Sequence, residues 1–277
     1  MNSKFLKTNE INLHFLDFAG ENPPIILMHG VTANSHAFDG LVKAGINENN
    51  RFISVDLRGR GLSDKPEKGY SMENHARDIL GLLDHLNIEK AILGGHSFGA
   101  LLTIYMAHYY PERIEKLILI DAAAKLHPDV REMLIPAMSR LGKTFPSFAE
   151  YLEKMKSSPY LNFWDESMES YYKADVKENV DGTVTQRSSV ENIFEALTSG
   201  SFGENWIDFI KSIKKPAILL NGSDNYGLDA PILPKEFALE TVNMMADCKY
   251  QQIPGNHQTM IYGNGANEIV KAIRDFI

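Results

Sequence analysis

The sequence predicts an α/β protein built on a doubly wound, mostly parallel sheet with a helical insertion. Three observations predict it: short runs of consecutive apolar residues, helical patterns between those runs, and one long stretch in which the runs cease. An uninterrupted apolar run is typical of a strand that is covered on both faces. When such strands alternate with helices, the sheet is parallel and helices cover its two sides.

Six apolar runs mark the strands expected inside the sheet. They are residues 25–28, 52–55, 91–93, 117–120, 217–220 and, with a weaker pattern, 250–253. Residues 4–18 alternate polar and apolar side chains instead, which is typical of antiparallel strands. We therefore expect a mostly parallel sheet to which the N-terminal residues add antiparallel strands.

Helical patterns lie between several of these runs. The spacing of apolar residues predicts helices over residues 71–86, 98–109 and about 265–277. Ser71 stands where the first of these helices needs an N-cap, a position at which a serine hydroxyl accepts a backbone N–H.

The alternation of strands and helices fails over residues 125–212, which are rich in helix formers, methionine and aromatic residues. We expect a mostly helical insertion there, with residues 1–124 and 213–277 forming the core. The aromatic residues of the insertion have two interpretations, since they either form its own small core or line a substrate pocket.

Composition narrows the possible partners and location. The chain has 277 residues, and 28 basic against 36 acidic side chains give a net charge of −8, so no nucleic-acid-binding surface is expected. Cys248 is the one cysteine, which excludes an intramolecular disulfide and fits a reducing compartment. Without an apolar run of membrane-spanning length or a signal peptide, we expect a cytoplasmic monomer or dimer that does not bind membranes.

Motifs that bind common cofactors are missing from the sequence. No Gly-x-Gly-x-x-Gly follows an expected strand, and neither His-Glu-x-x-His nor a Cys/His cluster occurs. We therefore expect no cofactor and no metal.

The segment Gly95-His96-Ser97-Phe98-Gly99 matches Gly-x-Ser-x-Gly, and its context makes the match informative. It follows an expected buried strand and opens an expected helix, so Ser97 lies on a tight turn between them. The two glycines leave room where this turn packs closely, and the helix N-terminus favours developing negative charge. The pattern predicts that Ser97 is a nucleophile.

A serine nucleophile needs a base and an oxyanion hole. His257 lies in a loop just after the last expected strand, at the sheet edge where α/β proteins place their chemistry, and is the expected base. The amides of Phe98, next to the nucleophile, and of Val31, after the first buried strand, are expected to hold the oxyanion.

Taken together, the motifs make the sequence resemble the α/β-hydrolase superfamily. The matching pieces are His29-Gly30, residues 56–63, residues 95–99 and Asn256-His257, in the order found in that superfamily. The resemblance implies that the insertion is a helical cap that roofs the pocket and that residues 56–63 form a largely structural loop.

The resemblance leaves two places for the carboxylate that orients the histidine. One is Asp121, directly after the strand at 117–120, as in haloalkane dehalogenases. The other is Asp224, although the Gly-x-x-Asp pattern of many members would require an acid at Asn225; Asp229 is a third alternative. Either position satisfies the need for a carboxylate that accepts the His257 Nδ1 proton.

These features predict a serine hydrolase that cleaves a small-molecule carboxylic ester or lactone, including a bulky or macrocyclic lactone, through an acyl-enzyme. Two alternatives stay open: hydrolysis of a carbon–carbon bond in a β-diketone-like substrate, and a ligand receptor with slow turnover. The residues expected to contact substrate are His29, which alternatively shapes its own loop, and His36, Phe163, Trp164 and Tyr172.

Overall fold

The structure, a computed structural model, describes residues 1–277 apart from the side chain of Asn22. Numbered along the chain, its strands are β1 (Asn2–Thr8), β2 (Ile11–Phe18), β3 (Glu21–Met28), β4 (Asn50–Val55), β5 (Ala91–His96), β6 (Ile114–Ile120), β7 (Thr144–Phe145), β8 (Val176–Glu178), β9 (Val184–Gln186), β10 (Ala217–Gly222) and β11 (Cys248–Ile253). Every apolar run of the sequence lies inside one of these strands.

The strands form one large, mostly parallel sheet of eight members in the order β1-β2-β4-β3-β5-β6-β10-β11. Neighbouring strands from β4 to β11 are parallel, whereas β1 and β2 pair in antiparallel fashion and β2 is antiparallel to β4. The α/β fold class and the antiparallel N-terminal strands are thereby confirmed.

Helices lie on both faces of this sheet. Their bounds are α1 (Asp39–Lys43), α2 (Met72–His85), α3 (Phe98–Tyr109), α4 (Val130–Met133), α5 (Ile135–Met138), α6 (Phe148–Lys156), α7 (Ser167–Asp175), α8 (Val190–Ala196), α9 (Trp206–Ser212), α10 (Lys235–Met244) and α11 (Gly263–Phe276). The Ser71 hydroxyl caps α2 by accepting the Asn74 amide, as the sequence predicts.

Two hydrophobic cores sandwich the sheet, and its central strands contribute to both. In β6, Leu117 and Leu119 join the core under α2 and α3, whereas Ile118 and Ile120 join the core under α1 and α11. Alternate side chains of a strand point to opposite faces, so a strand covered on both sides must be apolar throughout.

The proposed cap, residues 125–212, is helical but also contains the small antiparallel sheet β7-β9-β8, which the sequence does not predict. These strands have two or three residues each, too few for a periodic pattern. Its last helix, α9, packs Phe209 against the rings of Tyr105 and His108 of α3, in the core. The boundary at residue 212 stays a prediction.

The order of the strands determines where a crevice opens at the edge of the sheet. After β3 the chain moves to β4 on one side, and after returning to β5 it continues to β6 on the other. The carboxyl ends of β3 and β5 therefore diverge into a crevice at the point where the winding reverses. The loop carrying Gly30 and Val31 and the turn carrying Ser97 lie at this crevice.

In the part of the chain that the structure describes, no helix combines the length and apolar composition needed to cross a membrane.

Candidate active site

Ser97 occupies a strained turn between β5 and α3. Its φ of 55° and ψ of −116° lie in a region that residues other than glycine rarely adopt. The turn is held by the Ser97 amide, which donates to the Ile120 carbonyl at 2.9 Å, and by the Ser97 carbonyl, which accepts the amides of Ala100 and Leu101. A strained residue held this firmly is typical of a functional position.

Gly95 and Gly99 allow this turn to lie directly against β3. A Cβ built on Gly99 would lie 1.9 Å from the Met28 carbonyl oxygen, and one on Gly95 would lie 2.6 Å from the same atom. Only a residue without a side chain fits either position, so these glycines permit the exposure of Ser97 on the turn.

His257 lies beside Ser97, since both line one small cavity of about 40 Å³. The His257 ring donates from Nδ1 to Asp121 Oδ2 at 2.7 Å. This bond fixes the tautomer in which Nε2 carries the lone pair, the form that can accept a proton. His96 Nε2 donates to the His257 carbonyl at 2.8 Å and thereby anchors the backbone of the loop.

Asp121 is buried at the end of β6 and, like Ser97, has a positive φ, of 51°. Its Oδ1 accepts the Gly222 amide at 2.9 Å and Asn221 Nδ2 at 3.1 Å. Burial by itself raises the pKa of the carboxyl, but the hydrogen bond and charge of His257 and the two groups from β10 hold that pKa below its ordinary value. Asp121 is therefore ionised at neutral pH.

The other candidate acids lie elsewhere. Asp224 is exposed, and its carboxylate accepts the Ser223 hydroxyl rather than a histidine N–H. Asp229 is also exposed and lines a separate cavity. The structure thus pairs His257 with Asp121 and with neither alternative.

The two amides expected to hold an oxyanion lie next to Ser97. Phe98 follows Ser97 at the first turn of α3, and both line a common cavity with Val31. Gly30 brings the loop close, because a Cβ there would lie 3.6 Å from Ser97 Cβ. Within the described chain, neither the Val31 nor the Phe98 amide donates to a protein acceptor, which leaves both available to a ligand.

Two buried arginines that the sequence analysis did not single out hold this loop. Arg60 donates to the Val31 carbonyl at 2.9 Å, and its guanidinium carbon lies 5.4 Å from the centre of the Phe98 ring. Burial lowers the pKa of Arg60 to about 10, so the group stays charged at neutral pH. Arg140, from the proposed cap, donates to the Thr32 carbonyl at 2.9 Å. No sequence pattern connects either arginine with residues 31 and 32.

The two histidines expected to contact substrate lie away from the cavities beside Ser97. His29 is fully buried; its Nδ1 donates to the Gly30 carbonyl at 2.7 Å and its Nε2 accepts the Leu57 amide at 3.1 Å. It shapes its loop, the alternative interpretation. His36 pairs with Asp39 and lines a separate surface cavity.

The three aromatic residues expected in the pocket also lie outside it. Tyr172 is buried in the core that the cap shares with α1 and α11, and Trp164 stacks on it with ring centres 5.7 Å apart. Phe163 is 40% exposed, and its ring lies near Gly263, where an added Cβ would be 3.3 Å from it. The neighbouring Tyr171 lines the small cavity instead, because helical geometry turns successive residues to different faces.

A larger cavity of about 270 Å³ extends from Ser97 and is also lined by residues of the proposed cap. Its described lining is Val31, Ser97, Phe98, Leu101, Leu126, Val130, Arg131, Leu134, Met138, Phe194, Leu197, Thr198, Ser201 and Phe202. Residues 197–201 form a π-helical turn, a feature frequent at functional sites. Among the described residues, no three His, Cys, Asp or Glu side chains cluster as metal ligands do.

Comparison with known sequences gives one family. A sequence model of the alpha/beta hydrolase fold matches residues 23–226. The chain is also 30% identical over 269 residues to 2-(acetamidomethylene)succinate hydrolase of Mesorhizobium japonicum, and the match covers 93% of this chain and 89% of that protein.

Solved structures resemble the chain over nearly its whole length. The crystal structure of E-2-(acetamidomethylene)succinate hydrolase superimposes with a TM-score of 0.86 at 24% identity, covering 99% of this chain and 98% of that one. A thioesterase domain from the curacin biosynthetic pathway superimposes with a TM-score of 0.77 at 21% identity, covering 99% of both chains. At such identities the likeness establishes the fold alone.

The choice of acid is tested by comparing Asp121→Asn with Asp224→Asn. We expect the first change to lower kcat by about 10³-fold or more, because an amide in place of the carboxylate favours the wrong histidine tautomer. The second, on an exposed loop, is the matched control and should alter kcat less than about threefold. A large loss in Asp224→Asn with a small one in Asp121→Asn would reverse the assignment.

The close contact at Gly99 is tested by Gly99→Ala. The added methyl meets the Met28 carbonyl, so we expect the free energy of unfolding to fall by about 1–3 kcal/mol and activity to fall further than stability explains. In Gly203→Ala the methyl stays 3.7 Å from its nearest neighbour, and this control should retain both stability and activity. Urea unfolding and initial rates measure the two effects; equal behaviour of the variants would contradict the packing argument.

Buried neutral histidines predict loss of stability in acid. Burial, with the nearby His257, lowers the pKa of His96 to about 3, so between about pH 6 and pH 4 the unfolded chain binds a proton at His96 that the folded chain does not. Stability should therefore fall by about 1.4 kcal/mol per pH unit for this group as pH decreases. Urea unfolding across this range should show a shallower dependence in His96→Gln; His85→Gln, on the surface, is the control, and equal slopes in all three proteins would refute the prediction.

Proposed function

The chain belongs to the α/β-hydrolase family, and from that premise we propose that it is a serine hydrolase that cleaves a small-molecule carboxylic ester or lactone through an acyl-enzyme. The observation that carries the proposal is the 2.7 Å bond from His257 to the buried Asp121, beside Ser97 and two available amides. The proposal needs no cofactor. It includes a cytoplasmic location, in keeping with a single cysteine.

In the proposed first step, His257 Nε2 takes the proton of the Ser97 hydroxyl as Oγ attacks the substrate carbonyl. The amides of Val31 and Phe98 donate to the oxygen as it becomes negative, and the N-terminus of α3 adds its positive potential. Asp121 remains ionised and stabilises the imidazolium that forms.

In the second step, the carbon–oxygen bond to the alcohol breaks and His257 gives its proton to the departing oxygen. Water then attacks the acyl-enzyme, again with His257 as base, and releases the acid and Ser97. A lactone follows the same course with its hydroxyl still attached to the acyl group.

The two cavities suggest which part of an ester lies where. The leaving oxygen must lie near His257, which lines the small cavity of about 40 Å³. The acyl group is then directed to the apolar cavity of about 270 Å³, which His257 does not line. Esters of small alcohols with apolar acyl chains suit this division best, while a macrocyclic lactone must enter both spaces.

Other substrates distinguish ester hydrolysis from amide hydrolysis, from carbon–carbon bond hydrolysis and from ligand binding without turnover. The relative's name describes an acetamide on a methylene succinate, so an amide belongs in any substrate panel. A β-diketone tests carbon–carbon hydrolysis, and binding without turnover tests the receptor alternative.

A panel of methyl, butyl and octyl esters with acyl chains of two to ten carbons tests the proposal. We expect kcat/KM to rise with acyl length and to fall as the alcohol grows, with Ser97→Ala reducing kcat by about 10³-fold or more. Mass spectrometry of quenched reactions should detect an acyl adduct on Ser97.

Three outcomes would count against the proposal. Full activity in Ser97→Ala would eliminate the serine mechanism. Preference for the amide or the β-diketone would replace the ester assignment, and tight binding without hydrolysis of any compound would favour the receptor.

A further inference from the structure

Within the described part of the chain, a single charged side chain lines the larger cavity beside Ser97. Of the described residues that line it, Arg131 is the one with a charged side chain, and the others are apolar or carry hydroxyls. Arg131 lies on α4 in the proposed cap and is exposed to solvent. The apolar cavity therefore begins at the nucleophile and has a guanidinium at its mouth.

Arg131 is held in place by an aromatic neighbour. Its guanidinium carbon lies 4.3 Å from the centre of the Phe202 ring, and Phe202 lines the same cavity. A guanidinium stacked on a ring face is attracted by the ring electrons and loses rotational freedom. The charge is thus positioned before any ligand arrives, which lowers the entropic cost of binding one.

No described acidic side chain neutralises this charge. Among the residues that the structure describes, no carboxylate oxygen lies within 4.0 Å of the Arg131 guanidinium. Its chain neighbours point elsewhere: Asp129 approaches His127, and Glu132 lines a different cavity. In a chain with a net charge of −8, an unpaired cation at this mouth opposes the overall repulsion of anions.

We propose that Arg131 selects acyl groups that end in a carboxylate, so that the preferred substrates are monoesters of α,ω-dicarboxylic acids. The inference rests on the proposed function and adds the substrate class. The apolar chain would lie along the cavity from Ser97, and the distal carboxylate would accept two parallel N–H bonds from the guanidinium. A carboxylate is a better match than a phosphate, because a single guanidinium satisfies one carboxylate, whereas phosphate sites more often combine several donors.

The test compares matched pairs of methyl esters: monomethyl esters of dicarboxylic acids and methyl alkanoates of equal chain length. Proton release is followed at constant pH, so no bulky chromophore enters the small cavity. At the best chain length we expect kcat/KM for the acidic member to exceed that for the neutral one by about tenfold. Because the pair is partly exposed, the ratio should shrink as salt rises from about 0.05 to about 0.5 M.

Variants of Arg131 identify the source of the ratio. Arg131→Gln should bring it near one, Arg131→Lys should restore part of it, and Arg131→Glu should invert it. Arg77→Gln is the matched control, since Arg77 is an exposed helical arginine on α2 that pairs with Glu73 and does not line the cavity. It should keep the ratio of the unmodified protein.

A measurement without turnover separates this inference from the proposed function. Calorimetric binding of monomethyl octanedioate to Ser97→Ala should weaken about tenfold when Arg131→Gln is added. That result with no hydrolysis of any ester would remove the enzyme proposal and keep the anion site. If esters are hydrolysed but the ratio of kcat/KM between acidic and neutral esters is the same in the unmodified protein and in Arg131→Gln, the enzyme proposal stands and the role of Arg131 is overturned.

Discussion

The contact between the end of β3 and the start of α3 is the constraint on which the site depends. The Met28 carbonyl lies so close to Gly95 and Gly99 that neither position has room for a Cβ. The two glycines leave room for the strained turn at Ser97, and the contact brings the loop after β3 beside that residue. Because β3 and β5 are neighbours whose loops diverge, a crevice opens where the contact ends. The geometry of the candidate site therefore follows directly from this backbone packing.

The loop that carries Val31 is held from two directions by buried positive charge. Arg60, after β4, donates to the Val31 carbonyl, and Arg140, in the proposed cap, donates to the Thr32 carbonyl. Arg140 is paired with the buried Asp175, whereas Arg60 bonds to carbonyls and to neutral His75. A buried cation bonded to backbone oxygens restricts the loop and adds positive potential near the Val31 amide. Residues of the proposed cap thus hold the loop after β3 and also line the larger cavity.

The carboxylate beside His257 shows where sequence reasoning reached its limit. Strands β6 and β10 are parallel neighbours, so residues just after either strand arrive at the same edge of the sheet. Asp121 and Asp224 were both compatible with the sequence for that reason. The geometry separates them: Asp121 is buried, with Asn221 and Gly222 donating to it, while Asp224 is exposed to solvent. Asn221, at the end of β10, supports the carboxylate from the neighbouring strand.

By itself, the sequence determined the mostly parallel α/β fold, the strands and the helix after Ser97, because apolar runs and glycine spacing are local signals with direct physical causes. It also indicated Ser97 and His257, whose surroundings are set by the strands that precede them. Only the tertiary structure decided which carboxylate meets His257 and which arginines hold the loop after β3. It also decided that Tyr171 and Arg131 line cavities in place of Phe163, Trp164 and Tyr172. The physical reason is that the short elements of residues 125–212 carry no long periodic pattern, so the faces they present depend on packing between residues far apart in the chain.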